Sequence, residues 1–231
     1  MSRKSDNVLI LFVKAPRLGA VKTRLQPELT ADQSLQLYQA MVEDLAHQFA
    51  NLDFCDLKLF FYPVNAVGEM KTWLGDTFEY YSQHGNDLGE KMQNAITTML
   101  NSNYKKVVLT GSDIPTLDSA TIDHAFSSLN EENIVIGPSS DGGYYLIGMK
   151  KQNPEIFRQI SWSSGSVLRQ TIEKAKSANL KIVELEEKWD IDTYQDLCKI
   201  WAEVQKNRFS IQPKTYQILQ TLFNVEYLPQ R

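Results

Sequence analysis

Val8-Leu9-Ile10-Leu11-Phe12-Val13 is an unbroken apolar run closed by Lys14. A strand that is apolar at every position has no face to offer water, so it belongs in a parallel sheet covered on both sides. Similar segments return down the chain with helical patterns between them. Thr30 and Gln33 have capping-box spacing, and Leu35, Tyr38, Met41, Val42, Leu45 and Phe49 repeat at helical intervals. Residues 57–62 read as a second strand stopped by Pro63, followed by a short helix over 69–74 and a strand over 78–81. A helix over 88–100, a strand over 106–110, a helix over 119–129 and a strand over 134–136 continue the alternation. Residues 144–148 then read as a strand with no helix before it, which predicts an antiparallel insertion. A helix over 167–178, a strand over 182–185 and a helix over 194–204 complete the pattern. The expectation is α/β: a doubly wound, mostly parallel central sheet with an antiparallel insertion, in three α/β/α layers. Residues 1–205 read as one domain and residues 206–231 as a C-terminal helical extension, its helix over 216–223.

A length of 231 residues suits one large α/β domain or two small ones, and 42% hydrophobic residues can bury a sizeable core. With 24 basic against 28 acidic residues the net charge is −4, which argues against a general nucleic-acid binder. Attraction for phosphate therefore has to be local. Cys55 and Cys198 are far apart and form no CxxC pattern, which fits a reducing compartment and no zinc cluster. The run 8–13 is too short for a membrane span or a signal peptide, so the chain reads as cytoplasmic.

In a doubly wound sheet, ligands bind beyond the carboxyl ends of the strands, and four loops there carry chemistry. The first, residues 14–24, holds Lys14, Arg17, Lys22 and Arg24 with no acid, and Gly19 and Thr23 lie among them. Cationic heads with a glycine for close backbone approach are what a di- or triphosphate needs. It is not a Walker A loop, whose glycine positions are held here by Val21 and Pro16. The second loop places Asp113 just past the strand over 106–110, where a carboxylate can hold Mg²⁺ or Mn²⁺ bridged to substrate phosphates or can simply cap a turn. The third, Gly137-Pro138-Ser139-Ser140-Asp141-Gly142-Gly143-Tyr144-Tyr145, holds an Asp-Gly-Gly tight turn followed by aromatics that could be core or a platform for a sugar or base. In the fourth, Asp190 and Asp192 occupy alternate positions of an extended segment, available to a metal site with Asp113 or to cap the helix that Thr193 begins. The stretch 83–92, with Asp87 and Gly89, combines a polar loop with a helix start, where exposed N–H groups bind anions or a nucleobase. Trp162, among serines, could line an acceptor pocket or precede a helix cap.

In order, these loops are Lys14-x-Pro16-x-x-Gly19-x-x-Lys22-Thr23-Arg24-Leu25, Asp87-Leu88-Gly89-x-x-Met92, Gly111-Ser112-Asp113-x-Pro115, Gly137-Pro138, Asp141 to Gly148, and Asp190-Ile191-Asp192-Thr193. The set, over about residues 7–200, resembles the bacterial radical-SAM/selenodomain-associated transferases, the arsenosugar-biosynthesis-type glycosyltransferases. That resemblance implies the GT-A fold of nucleotide-diphospho-sugar transferases. It is also similar to nucleotidyltransferases that make cofactor precursors, such as phospholactate and molybdopterin guanylyltransferases. It implies that Lys14, Lys22 and Arg24, with Gly19, Thr23, Asp87 and Gly89, face the nucleotide. It further implies a divalent metal on Asp113 with Asp192 or Asp190, and a sugar or acceptor beside Gly142, Gly143, Tyr144 and Trp162. The chain departs from the pattern at Gly111-Ser112-Asp113, which replaces a full Asp-x-Asp, at Tyr194, where a proline often stands, and in the residues beyond the core.

The implied reaction is metal-dependent transfer from a nucleotide-sugar to a small acceptor, with Asp141 as candidate base if the transfer inverts. The alternatives are nucleotidyl transfer from a nucleoside triphosphate to a small phosphorylated metabolite, and non-catalytic nucleotide binding.

Overall fold

The apolar hexapeptide lies inside β1 (Asn7–Lys14), and its first four side chains are fully buried. In the computed structural model, which describes residues 4–224, β1 is parallel to β2 (Asp56–Tyr62) on one side and β4 (Lys106–Thr110) on the other. Because side chains alternate across a strand, β1 feeds two cores. Leu9, Leu11 and Val13 pack under α1 (Ala31–Ala50), α2 (Val67–Leu74) and α4 (Ser119–Ser128). Val8, Ile10 and Phe12 pack under α3 (Leu88–Asn101) and α5 (Val167–Ser177). The three α/β/α layers follow directly from that run.

The remaining strands are β3 (Tyr80–Ser82), β5 (Asn133–Pro138), β6 (Tyr144–Met149) and β7 (Lys181–Glu184). The seven-stranded sheet runs β3-β2-β1-β4-β6-β5-β7, with β6 antiparallel to both neighbours. The antiparallel insertion is the β5–β6 hairpin. Its turn depends on Gly142, at φ +86°, where a Cβ would sit 2.3 Å from the carbonyl oxygen of Gly165. No residue with a side chain fits there without moving backbone.

Helix starts obey local chemistry. The Thr30–Gln33 capping box forms at α1, and Thr193 with Asp196 makes its counterpart at α6 (Tyr194–Gln205). Each such cap stabilises its helix by about 1 kcal/mol. Among the described residues no helix is long and apolar enough to cross a membrane.

Several element boundaries differ from expectation. The edge strand β3 starts two residues late, because only Tyr80, Tyr81 and Ser82 find partners on β2, while Phe78 packs edge-on against Tyr80 and His47. The last helix, α7 (Pro213–Asn224), starts at Pro213 and not near 216, since a proline suits the first helical turn. Short 3-10 turns at Thr23–Leu25 and Pro154–Phe157 were absent from the periodic reading. Helix α7 lies on α1 and α6 in a third apolar core that contains Leu25, Leu37, Ile191, Leu197 and Leu219. The end of the extension, residues 225–231, lies outside the described residues.

Candidate active site

The carboxyl ends of β1, β4 and β5 open onto one cleft of about 840 Å³. At the exit of β1, α1 clamps the backbone. The Lys14 N–H donates to the Tyr38 hydroxyl at 2.6 Å, and that hydroxyl donates to the Lys14 carbonyl at 3.0 Å. Burial holds the Tyr38 phenol far above its ordinary pKa, so it stays a neutral donor. The chain then turns through Gly19 at φ +74° and Lys22 at φ +49°, both in the left-handed region. Lys22 is thereby aimed back across the cleft and starts the 3-10 turn that carries Thr23 and Arg24.

Four carboxylates line the same cleft: Asp113, Asp141, Asp190 and Asp192. Lys22 Nζ lies 2.5 Å from Asp113 Oδ1 and also donates to the Ile191 carbonyl. Arg24 pairs with Asp192. Arg24 and Asp113, 89 residues apart in sequence, therefore share one pocket, as a phosphate and metal site requires. The lysine is the buried partner of its pair, with 5% of its side chain exposed against 53% for Asp113. Asp141 is fixed by its own turn, its Oδ1 accepting from Ser139 Oγ at 2.5 Å and from the Gly143 N–H at 2.8 Å. Asp190 is pushed up to about 6, first by burial and then by the nearby charge of Asp141. The fourth cation of the first loop points elsewhere, since Arg17 makes a two-point bond with Glu69 at 2.6 and 2.9 Å.

Among the described residues no three His, Cys, Asp or Glu side chains converge closely enough to form a ready-made metal cage. The donor set still fits Mg²⁺ or Mn²⁺. These ions need hard oxygens, and Mg²⁺ is held typically by one or two carboxylates with substrate phosphates and water. Asp113 and Asp192 are carboxylates of that kind, each now neutralised by a cation that a phosphate could take in exchange.

The opposite wall is apolar and aromatic. Tyr144 and Trp162 meet edge to face with ring centroids 6.5 Å apart, and Met92 lies on the same wall. Gly89 does not line the cleft. A Cβ there would lie 2.4 Å from the Trp162 ring, so its missing side chain lets the indole rest on α3. Asp87 is likewise outside the lining, because its carboxylate caps α3 by accepting from the Glu90 N–H at 2.8 Å. Gly19 and Gly142 shape turns from outside the lining, whereas Lys14, Lys22, Thr23, Arg24, Gly143, Tyr144 and Trp162 reach it. No sequence motif marks Tyr38 or Gly165, which also line the cleft, as does Ser139 of the third loop. Tyr38 sits on the apolar stripe of α1, and only its hydroxyl, invisible to periodicity, reaches the site.

A protein-family model described as "Uncharacterized protein conserved in bacteria (DUF2064)" matches residues 45–164. The structure is similar to the crystal structure of a "putative nucleotide-diphospho-sugar transferase" from Desulfovibrio desulfuricans G20, with TM-score 0.85 and 36% identity, covering 94% of this chain and 95% of that one. A nucleotidyl transferase from Methanothermobacter thermautotroptrophicus shares the fold at TM-score 0.57 and 13% identity, over 87% of this chain and 98% of that one. So does Rv0371c from Mycobacterium tuberculosis H37Rv, at TM-score 0.52 and 17% identity over 85% and 97%. A search of curated proteins returned no match. The architecture is the nucleotide-diphospho-sugar transferase-like α/β fold.

Proposed function

This chain belongs to the DUF2064 family, and we propose that it is a metal-dependent transferase that moves a sugar from a nucleotide-activated donor to a small acceptor. One observation carries the reading: the cations of the β1 loop and the acids of the loops after β4 and at 188–193 meet in a single cleft, paired with each other. The ordered motifs and the likeness to the Desulfovibrio protein support it.

In this reading Asp113 and Asp192 hold Mg²⁺ or Mn²⁺, with Asp190 beside them. A bound ion of this kind supplies charge stabilisation at the leaving phosphate oxygens. Lys22 and Arg24 leave their carboxylates for the donor diphosphate, where fixed cations stabilise charge that grows as the sugar–phosphate bond breaks. Asp141, oriented by Ser139 and Gly143, takes the proton of the acceptor hydroxyl as that oxygen bonds to the sugar carbon. Tyr144 and Trp162 supply an aromatic wall for sugar or acceptor.

Nucleotidyl transfer is the second reading. Lys14, Lys22 and Arg24 in the lining of one cleft favour it, since departing pyrophosphate carries more charge than a nucleoside diphosphate. Calorimetry with UDP- and GDP-sugars, with and without Mn²⁺, tests the first reading, and pyrophosphate release from GTP or CTP tests the second. Metal-dependent binding that Asp113→Ala abolishes is the expected result. Silence across the sugar panel together with pyrophosphate release would replace the first reading by the second. An Asp113→Ala variant that binds as wild type would instead leave a nucleotide-binding protein without this chemistry.

A further inference from the structure

We propose that Phe209, in the C-terminal segment, positions the acidic loop of the cleft through the ring of Trp189. The inference rests on the transferase reading for its functional meaning, but its physical basis is independent of which donor binds.

Trp189 immediately precedes Asp190, and its ring meets that of Phe209 nearly perpendicular, at 82° with centroids 5.3 Å apart. The loop is tied down on either side of this contact. Upstream, the Lys188 N–H donates to the Pro138 carbonyl at 3.0 Å, and the Ser140 N–H donates to the Lys188 carbonyl at 3.1 Å. Those bonds join the loop to the turn that carries Asp141. Downstream, the Ile191 side chain is fully buried in the third core, and its N–H donates to the Asp113 carbonyl at 3.0 Å. The same Ile191 carbonyl accepts from Lys22.

The loop needs such fixing. Asp141 and Asp190 bring like charge to the same cleft, and their repulsion pushes the loop toward water. An apolar ring contact opposes that push without adding a charge the cleft would have to neutralise. Phe209 can serve because its own segment is anchored. The Thr215 N–H and hydroxyl both donate to Asp44 of α1, at 2.7 and 2.8 Å, and Leu219 is fully buried between the helices. A residue beyond the alternating α/β pattern thus reaches the site through one aromatic pair. It is a positioning residue and touches no reacting atom.

Three full-length variants test this: Phe209→Ala, Phe209→Tyr, which keeps the ring, and Met99→Ala, which opens the separate core under α3 that contains neither Trp189 nor Ile191. The readouts are hydrogen exchange over residues 189–192, the thermal midpoint, and calorimetric binding of ADP, CDP, GDP and UDP with Mn²⁺. Phe209→Ala is expected to speed exchange of the Ile191 amide and to weaken Mn²⁺-dependent binding about tenfold, the scale on which loss of ligand-orienting neighbours is felt. Phe209→Tyr should restore both. Met99→Ala should lower the midpoint at least as far while leaving exchange and affinity near wild type well below that midpoint. Wild-type exchange at Ile191 in Phe209→Ala overturns the inference, as does affinity that simply follows the midpoint across the variants. Wild-type protein that binds none of the four nucleotides with Mn²⁺ sinks the transferase reading, and the exchange result still decides the positioning role.

Discussion

Replacing Lys22 with methionine should move metal and nucleotide binding in opposite directions. Lys22 now neutralises Asp113, at 2.5 Å, from a position almost closed to water. If Asp113 is a metal ligand, the ammonium competes with the ion for that carboxylate. Removing it should tighten binding of Mn²⁺ alone by about tenfold, within the coupling of ~1–3 kcal/mol usual between linked sites. A phosphate that had exchanged for Asp113 loses a charge-assisted hydrogen bond of about 1.5–3 kcal/mol. At 1.4 kcal/mol per decade, nucleoside diphosphate affinity at saturating Mn²⁺ should fall roughly 10- to 100-fold.

The fold should tolerate the change. Breaking a fully buried ion pair costs about 3–5 kcal/mol, but that figure applies to a stranded charge. Asp113 is 53% exposed and is rehydrated once the lysine leaves, so that part of the cost should drop toward ~1 kcal/mol, with about 1 kcal/mol more for the Ile191 carbonyl that loses its donor. Methionine keeps the length of the apolar stem. The assay is two calorimetric titrations on each protein, Mn²⁺ alone and then each nucleoside diphosphate at saturating Mn²⁺. Weaker or unchanged Mn²⁺ binding by the variant would refute the exchange of partners, because the lysine would then not occupy the metal's place.

Two further outcomes concern Asp190 and the seat of Trp162. Asp190 is raised from 3.8 to about 6 in the folded chain, so its ionisation opposes folding. The cost is absent below about pH 4, grows as pH climbs through 6 and is constant above. Asp190→Asn should therefore stabilise the metal-free protein at pH 8 by about 1 kcal/mol, after allowing for the water that reaches this half-buried group, and not at pH 4. Thermal melts at both pH values check this, and equal shifts would exclude charge as the cause. Gly89→Ala puts a methyl 2.4 Å from the Trp162 ring and should cost about 1–3 kcal/mol as the indole gives way. A denaturant midpoint and the tryptophan emission report it, and an unchanged spectrum would mean that Trp162 does not rest on this glycine.

What the sequence revealed and what it hid divide along a physical line. Strands β1 and β4 were legible because a segment apolar on both faces admits few environments, and the loops at their carboxyl ends inherited their importance from that placement. Lys22, Arg24, Asp113 and Asp192 were legible as charges beside strand ends, but their pairing was not. It depends on Lys22 adopting a left-handed backbone that no glycine announces. Asp87 and Gly89 show the opposite failure. Their residue types suit a ligand loop and equally suit a helix cap and a seat for an indole, and the local geometry chose the second use. The third core was hidden for a different reason. Leu25 lies 166 residues before Ile191 and 194 before Leu219, and no periodicity links them. That core carries the cationic 3-10 turn on one side and the acidic loop on the other. Separation between the loop cations and the carboxylates they pair with is thus set by apolar packing outside the alternating pattern. A transferase site of this kind can then be retuned by substitutions in the C-terminal helix that never touch a substrate.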